Sequence, residues 1–580
     1  MLWLPRLLPM SCALALASAT IDASALASAP AQQEADRAAT TVELIAQYQA
    51  DAGALGRLYN FPFSERRTDD FRKLYQSWLG RLDAVDFEGL NRGQRVDWHL
   101  LHDMVKDDLA RLEIDADREA EVLPLIPDFG PLLERLHGHA DRQFADGEET
   151  AIAFEAMREA LAAKRKSVKE DGIEVDASLG RRAGGMVQQL RRSASGWYRF
   201  YSQYDPEFTW WCEQPWSGLE KELRSYATFL EQELGGVRPG DTDTLVGDPI
   251  GREALQAALL AERIPYSPEE LIEIAEREFA WCMEERRKAA DEMGLTGDWG
   301  AAQEEVKKAH PGPGGQPPVI KMLADEAVAF LEARNLVTIP ELCKQVWRMD
   351  MMSPERQKFT PYFTGGEVVS ISYPTEGMEH ADKLMSMRGN NLHYSRAVVH
   401  HELIPGHHLQ GYAAQRWNTQ RRSFRSPFLV EGWALYWEMR LWDLEFPQTP
   451  EDRIGMLFWR SHRCARIIFS LNFHLGKWSP EECIDFLVEN VGHERRNATA
   501  EVRRSIQGGY GPLYQAAYMT GGLQLLALHK ELVENGSYSE REFHDAVLRQ
   551  NSIAIEYVRA ALSDTPLAKD FPVSWRFADE

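Results

Sequence analysis

Within nine residues, His400-His401-Glu402-Leu403-Ile404-Pro405-Gly406-His407-His408, the chain places four of its sixteen histidines and a carboxylate. Neutral imidazoles and carboxylates are the ligands zinc takes when one position is left open for water, and a further carboxylate alongside can receive the water's proton. The run could supply most of a hydrolytic centre, with His401 and either His407 or His408 as imidazole ligands and Glu402 as the base. A single histidine on a helix is more often a packing or surface residue. Clustering reverses that balance for His401 and His407, while His400 is expected only to flank the site and His408 to orient a ligand or contact substrate.

The elements that must position these groups are constrained by the spacing. In H-E-x-x-H the two histidines share a helix face, but the residue four beyond His401 is Pro405. Its ring clashes with the carbonyl four residues back, so a regular helix cannot run through it, and Gly406 adds further freedom. On an ideal helix His407 would lie roughly 9 Å along the axis from His401 and far round from it, too distant to share an ion. A local bulge is therefore required. With two residues looped out, His407 becomes the second ligand and Leu409-Gln410 resume the helix.

Read with that insertion, His401-Glu402 through Gly406-His407-His408-Leu409-Gln410 resembles the H-E-F-G-H-A-L-H helix of the thimet-type oligopeptidases. It resembles more fully a bacterial family catalogued as domain of unknown function 885, whose signature is H-E-x-x-P-G-H-H-L-Q and which is grouped with the gluzincin metallopeptidases. Leu429-Val430-Glu431-Gly432-Trp433-Ala434-Leu435-Tyr436 is similar to that family's E-G-W-A-L-Y segment. The resemblance implies Glu431 as the third metal ligand, delivered by a following antiparallel helix. Some gluzincins orient a zinc histidine with an acid four residues further on, but that position is Leu435, so the acid must come from elsewhere.

Two later segments extend the likeness. Arg463-x-x-Arg466 with His474 and Trp478-Ser479 follows a family pattern, with Ser470 and Asn472 where Asp and Gly are usual. Glu501-Val502-x-Arg504 followed by Tyr518 and Gly521 follows another, with Leu513 and Tyr514 in place of Gly and Gln. Amide hydrolysis passes through an oxyanion that needs donors beyond the metal, and Tyr518, then His474, are the candidates. Arg466 or Arg504 could grip a substrate carboxylate, which would favour attack near a peptide's C-terminus, and Tyr514 joins them as a substrate-facing residue. Each arginine could equally serve a structural acid.

The chain opens with a short basic segment, an apolar run from Leu7 to about Ala19 and small residues ending at Ala29, the pattern of a secretory leader over residues 1–29. Its apolar core is too short for a stable membrane span, and no later segment is long and apolar enough for one. The expected location is periplasmic or secreted. Net charge is −24 and is unchanged by removing the leader, because Arg6 and Asp22 cancel; such a surface disfavours nucleic acid and anionic lipid as partners. Five scattered cysteines beyond the leader do not form a disulfide framework, although one bridge could form after export.

From about Glu34 the text reads as successive amphipathic helices, among them 70–82, 95–112, 149–168 and 268–293. Trp197 to Tyr201 and Phe208 to Trp211 read as packing. Linkers are expected at 235–241 and 310–318, the latter unable to be helix, and a helix at 320–333. The best β text is Pro361 to Tyr373, a hairpin turning at Gly365-Gly366; in related zinc peptidases an edge strand near the metal helix pairs with substrate, though a purely structural hairpin is about as good a reading. The expected fold is mainly α and metallopeptidase-like: residues 30–580 form one domain, with a helical lobe over about 30–310 and a metal-site lobe over about 320–580 flanking a cleft. The expected function is a zinc peptidase acting on peptides or small amides. The alternatives are a zinc hydrolase of non-peptide amides and a non-catalytic exported binding protein.

Overall fold

The computed structural model describes residues 40–578 except 60, 62, 174, 237–243, 358–361, 508 and 509. The leader, most of the 235–241 linker and Pro361 lie outside the described residues. The fold is mainly helical, with one two-stranded sheet among the described residues.

Three helices, α1 (Thr41–Leu58), α2 (Glu65–Asp83) and α3 (Arg92–Ala120), come first among the described residues. Then α4 (Gly147–Glu170), α5 (Ala177–Ser202) and α6 (Pro206–Thr228) pack on one another around their own core. Trp197, Tyr201 and Phe208 are buried there, as their aromatic text suggests, whereas Trp210 stands 75 % exposed. The helices after residue 250 share one large core with α1 to α3, from Leu44 to Phe577. Thus a lobe boundary near 310–320 does not separate two cores. The small second core is built from Phe61 and residues between Val122 and Leu230, and the N-terminal helices belong with the C-terminal half.

The helices begin where capping chemistry allows. Ser267 caps α7 (Pro268–Glu292) through a reciprocal capping box with Glu270. Next, α8 (Gln316–Ala333) starts inside the stretch expected to exclude helix, because Pro317 and Pro318 occupy its first turn, where a missing N–H costs nothing. The β text is also rearranged. Strand β1 (Arg348–Met351) pairs in parallel with β2 (Val368–Ile371). Among the described residues the expected hairpin survives only as an isolated antiparallel bridge between Thr364 and Ser370.

The remaining site-bearing helices are α9 (Leu392–Glu402), α10 (His407–Ala414), α11 (Pro427–Asp443), α12 (Pro450–His474), α13 (Arg495–Gln507) and α14 (Tyr514–His529). Asn391 caps α9 by accepting from the N–H groups of His393 and Tyr394. Helices α11 and α14 approach backbone to backbone: a Cβ at Gly521 would come within 1.9 Å of the Phe428 carbonyl oxygen, and one at Gly432 within 2.6 Å of the Gly521 Cα. This pair of glycines sets how closely the tyrosines of α14 approach the acids of α11. No helix among the described residues is long and apolar enough to cross a membrane. All five described cysteines are buried and unpaired.

Candidate functional site

The bulge demanded by Pro405 is a complete break. Helix α9 ends at Glu402, residues 403–406 turn sharply, with the Ile404–Pro405 peptide cis, and α10 starts at His407. The turn satisfies its own backbone. Gly406 N–H donates to the His400 carbonyl at 3.0 Å, and His408 N–H donates to that of Leu403 at 3.0 Å. The indole N–H of Trp433 on α11 donates to the Pro405 carbonyl at 2.8 Å, tying the turn to the next helix. A Cβ at Gly406 would lie 1.7 Å from the His401 carbonyl oxygen, so only glycine fits.

The outcome is a convergence that an unbroken helix would forbid. The His401 and His407 rings stand perpendicular, 4.8 Å apart between centres. Glu431 presents Oε2 3.2 Å from His407 Nε2 and 3.8 Å from His401 Nε2. Donor atoms of the three residues all lie within 4.8 Å of one another. Around one tetrahedral ion with bonds near 2.0–2.1 Å, ligand atoms stand roughly 3.3 Å apart, so small side-chain movements would bring all three into range. Oε2 of Glu431 is buried and has no hydrogen-bond partner among the described residues. An orphaned buried carboxylate oxygen is costly, and facing two imidazole nitrogens it matches a cation. The donor set therefore fits a divalent metal, and it is His407, not His408, whose ring faces His401 and Glu431.

The surroundings hold these donors in place. The Tyr514 hydroxyl donates to Glu431 Oε1. His401 Nδ1 bonds Glu438 Oε1 at 2.6 Å, which fixes Nε2 toward the centre. Burial opposes charging the His401 ring, but the carboxylates of Glu431 and Glu438 outweigh it and raise its pKa to about 9. Burial likewise opposes charge on Glu431, and the two imidazoles more than offset it, holding the carboxyl well below its ordinary range. The pocket is thus an electrostatic well for positive charge. Arg463, 3.7 Å from Glu438 Oε1, limits that well from behind.

Glu402 is half-buried and lines the same cleft. The 364–366 segment passes directly over it: Gly366 N–H donates to the Glu402 carbonyl at 3.2 Å, and a Cβ at Gly365 would come within 2.4 Å of the Glu402 Cβ. Tyr518 stacks on His401 with 6.2 Å between ring centres, and the guanidiniums of Arg463 and Arg466 lie 4.9 and 4.6 Å from its ring centre. Burial and Glu431 push its phenol up to about 12 against the pull of the arginines, so it remains an O–H donor at neutral pH. Arg466 and Arg504 both pair with Glu501, at 2.7 and 2.8 Å. Together these residues line a cleft of about 620 Å³.

Three sequence candidates lie elsewhere. His408 is buried with Nε2 2.8 Å from the Cys343 carbonyl and does not line the cleft. His474 ends α12, eight residues past Arg466, about 12 Å further along the helix. It sits outside the cleft near Asp248 and Arg118, held down to about 4 by burial, and so is not the oxyanion donor. His400 packs edge-on against Phe446, fully buried, and only flanks the site as expected. Conversely, Glu438, Arg463 and Glu501 belong to the site but were not among the sequence candidates. Glu438 had a readable signal, since it follows Glu431 by seven residues and shares its helix face.

Comparison with known proteins adds the family and the fold. Residues 46–562 match a family described as "Bacterial protein of unknown function (DUF885)". No curated protein matches the chain. A solved structure from Shewanella oneidensis, described as "a putative lipoprotein of unknown function", is 15 % identical and superposes with a TM-score of 0.66 over 90 % of this chain and 99 % of its own. Another, "the putative lipoprotein from Colwellia psychrerythraea", is 15 % identical with a TM-score of 0.56 over 90 % of this chain and 98 % of its own.

Proposed function

The chain belongs to this DUF885 family of bacterial proteins, and we propose that it is an exported zinc-dependent hydrolase whose substrates are peptides. The observation that carries the reading is the meeting of His401, His407 and the orphaned Glu431 Oε2 at the wall of a cleft that Glu402 also lines. Those three residues would hold zinc, which when bound supplies Lewis acidity and makes water a nucleophile at neutral pH.

The chain's own groups would do the rest. Glu402 takes the proton of the attacking water on its carboxylate and returns it to the leaving amine. Glu438 fixes the tautomer of His401 by accepting from Nδ1–H. The Tyr518 hydroxyl donates to the oxyanion of the tetrahedral intermediate. The segment from Phe363 to Gly366 offers the substrate backbone a wall beside Glu402. Export is supported by the leader-like residues 1–29 and by the lipoprotein description of both similar structures. Replacing Glu402 by Gln tests the assignment. Zinc content should match the wild type while turnover of a peptide library falls by roughly 10²–10⁴-fold; undiminished turnover removes Glu402 from the role.

A further inference from the structure

The cleft runs against the charge of the molecule. In a chain of net charge −24, Arg422, Arg425, Arg463, Arg466 and Arg504 line it, against the carboxylates Glu402, Glu431 and Glu501. Arg422 and Arg425 at its edge are exposed and form no ion pair among the described residues. Deeper in, Arg466 and Arg504 share the single carboxylate of Glu501, leaving one positive charge over. Among the described residues only Nε of Arg466 is hydrogen-bonded, and Nη1 is buried with no partner. A buried guanidinium with free N–H groups at a cleft wall is the donor set that a carboxylate satisfies bidentately.

Distance then limits which carboxylate. The Arg466 guanidinium lies 4.6 Å from the Tyr518 ring centre, itself 6.2 Å from that of His401, so guanidinium and imidazole are at most about 11 Å apart. Extended peptide spans about 3.3–3.6 Å per residue, so one to three residues fit between the reacting carbonyl and the grip. We infer that substrates are held by a free C-terminal carboxylate on Arg466 and Arg504, making the protein an exopeptidase that removes one to three residues from the C-terminus. The cut rests on the hydrolytic reading above; the grip does not. In the reaction, the oxygen of water adds to the carbonyl carbon and the C–N bond breaks. The water's proton passes to the released amino group, and the shortened chain keeps a new carboxylate.

The test uses matched peptides of one sequence with free or amidated C-termini, read by mass spectrometry with the zinc-loaded protein and by calorimetric binding to the Glu402→Gln variant. Free-acid peptides should be trimmed from the C-terminus and their amides cut about 100-fold more slowly. Arg466→Gln should lower kcat/KM for the free acid by a similar factor more than for the amide, so that the free-acid to amide ratio falls toward one. The calorimetry should show the free acid binding at least tenfold tighter, a preference that would stand with no cleavage and so separate this inference from the hydrolytic one. Equal rates, internal cuts, a preference that follows acidic side chains, or equal or absent binding of both peptides would overturn it.

Discussion

Replacing Glu438 probes the centre without touching a proposed ligand. Its Oε1 accepts from His401 Nδ1 at 2.6 Å, both groups are buried, and Oε2 has no partner among the described residues. A charge-assisted bond of this kind contributes about 1.5–3 kcal/mol, and each 1.4 kcal/mol is tenfold in affinity. In Glu438→Gln the amide oxygen can still accept from Nδ1–H, with the amide nitrogen in the place of the unbonded oxygen. Geometry persists and the charge is lost, predicting about 10-fold weaker zinc binding. In Glu438→Ala the imidazole is also free to turn, and the loss should approach 100-fold. Competition against a fluorescent chelator at fixed pH measures both. Unchanged affinity in the alanine variant, with the fold intact by circular dichroism, would refute the claim that this carboxylate orients a metal ligand.

Other perturbations follow from the same geometry. Gly406→Ala places a methyl 1.7 Å from the His401 carbonyl oxygen, so the turn must open. The variant should fold yet lose stoichiometric zinc, and retention of the metal at wild-type affinity would contradict the role of the break. Burial holds the pKa of His544 down to about 3, while an unfolded histidine titrates near 6.5. Between those values the unfolded state binds more protons. Stability is therefore full above about pH 6.5 and declines toward pH 3, by about 1.4 kcal/mol per unit for this residue. Urea unfolding across pH 4–7 checks the slope, which should flatten by about one proton in His544→Gln; a slope identical to wild type would contradict it.

Helix was legible because most segments carry a 3.6-residue apolar period and recognisable starts, as at Ser267-Pro268. What escaped depended on tertiary partners. Arg348–Met351 alternates polar and apolar residues over only four positions, too short a run to mark a strand, and becomes β1 by pairing with Val368–Ile371. The division of cores was hidden because α1 to α3 pack on helices that follow them by hundreds of residues. At the site, the types and clustering of His401, Glu402 and His407 were informative in themselves. Side-chain direction was not: His408 follows His407 by roughly 100° of helix rotation and turns toward Cys343. The arginine cluster arises only where α12 meets α13 and α14, so its sharing of Glu501 could not be read from spacing.

The central claim is that a broken helix and its neighbour gather His401, His407 and Glu431 around one ion. Zinc-edge anomalous diffraction from crystals of protein purified without chelator tests it most directly. A single peak is predicted at about 2.0–2.2 Å from His401 Nε2, His407 Nε2 and Glu431 Oε2. Zinc-supplemented crystals with no peak between those three atoms would contradict the account.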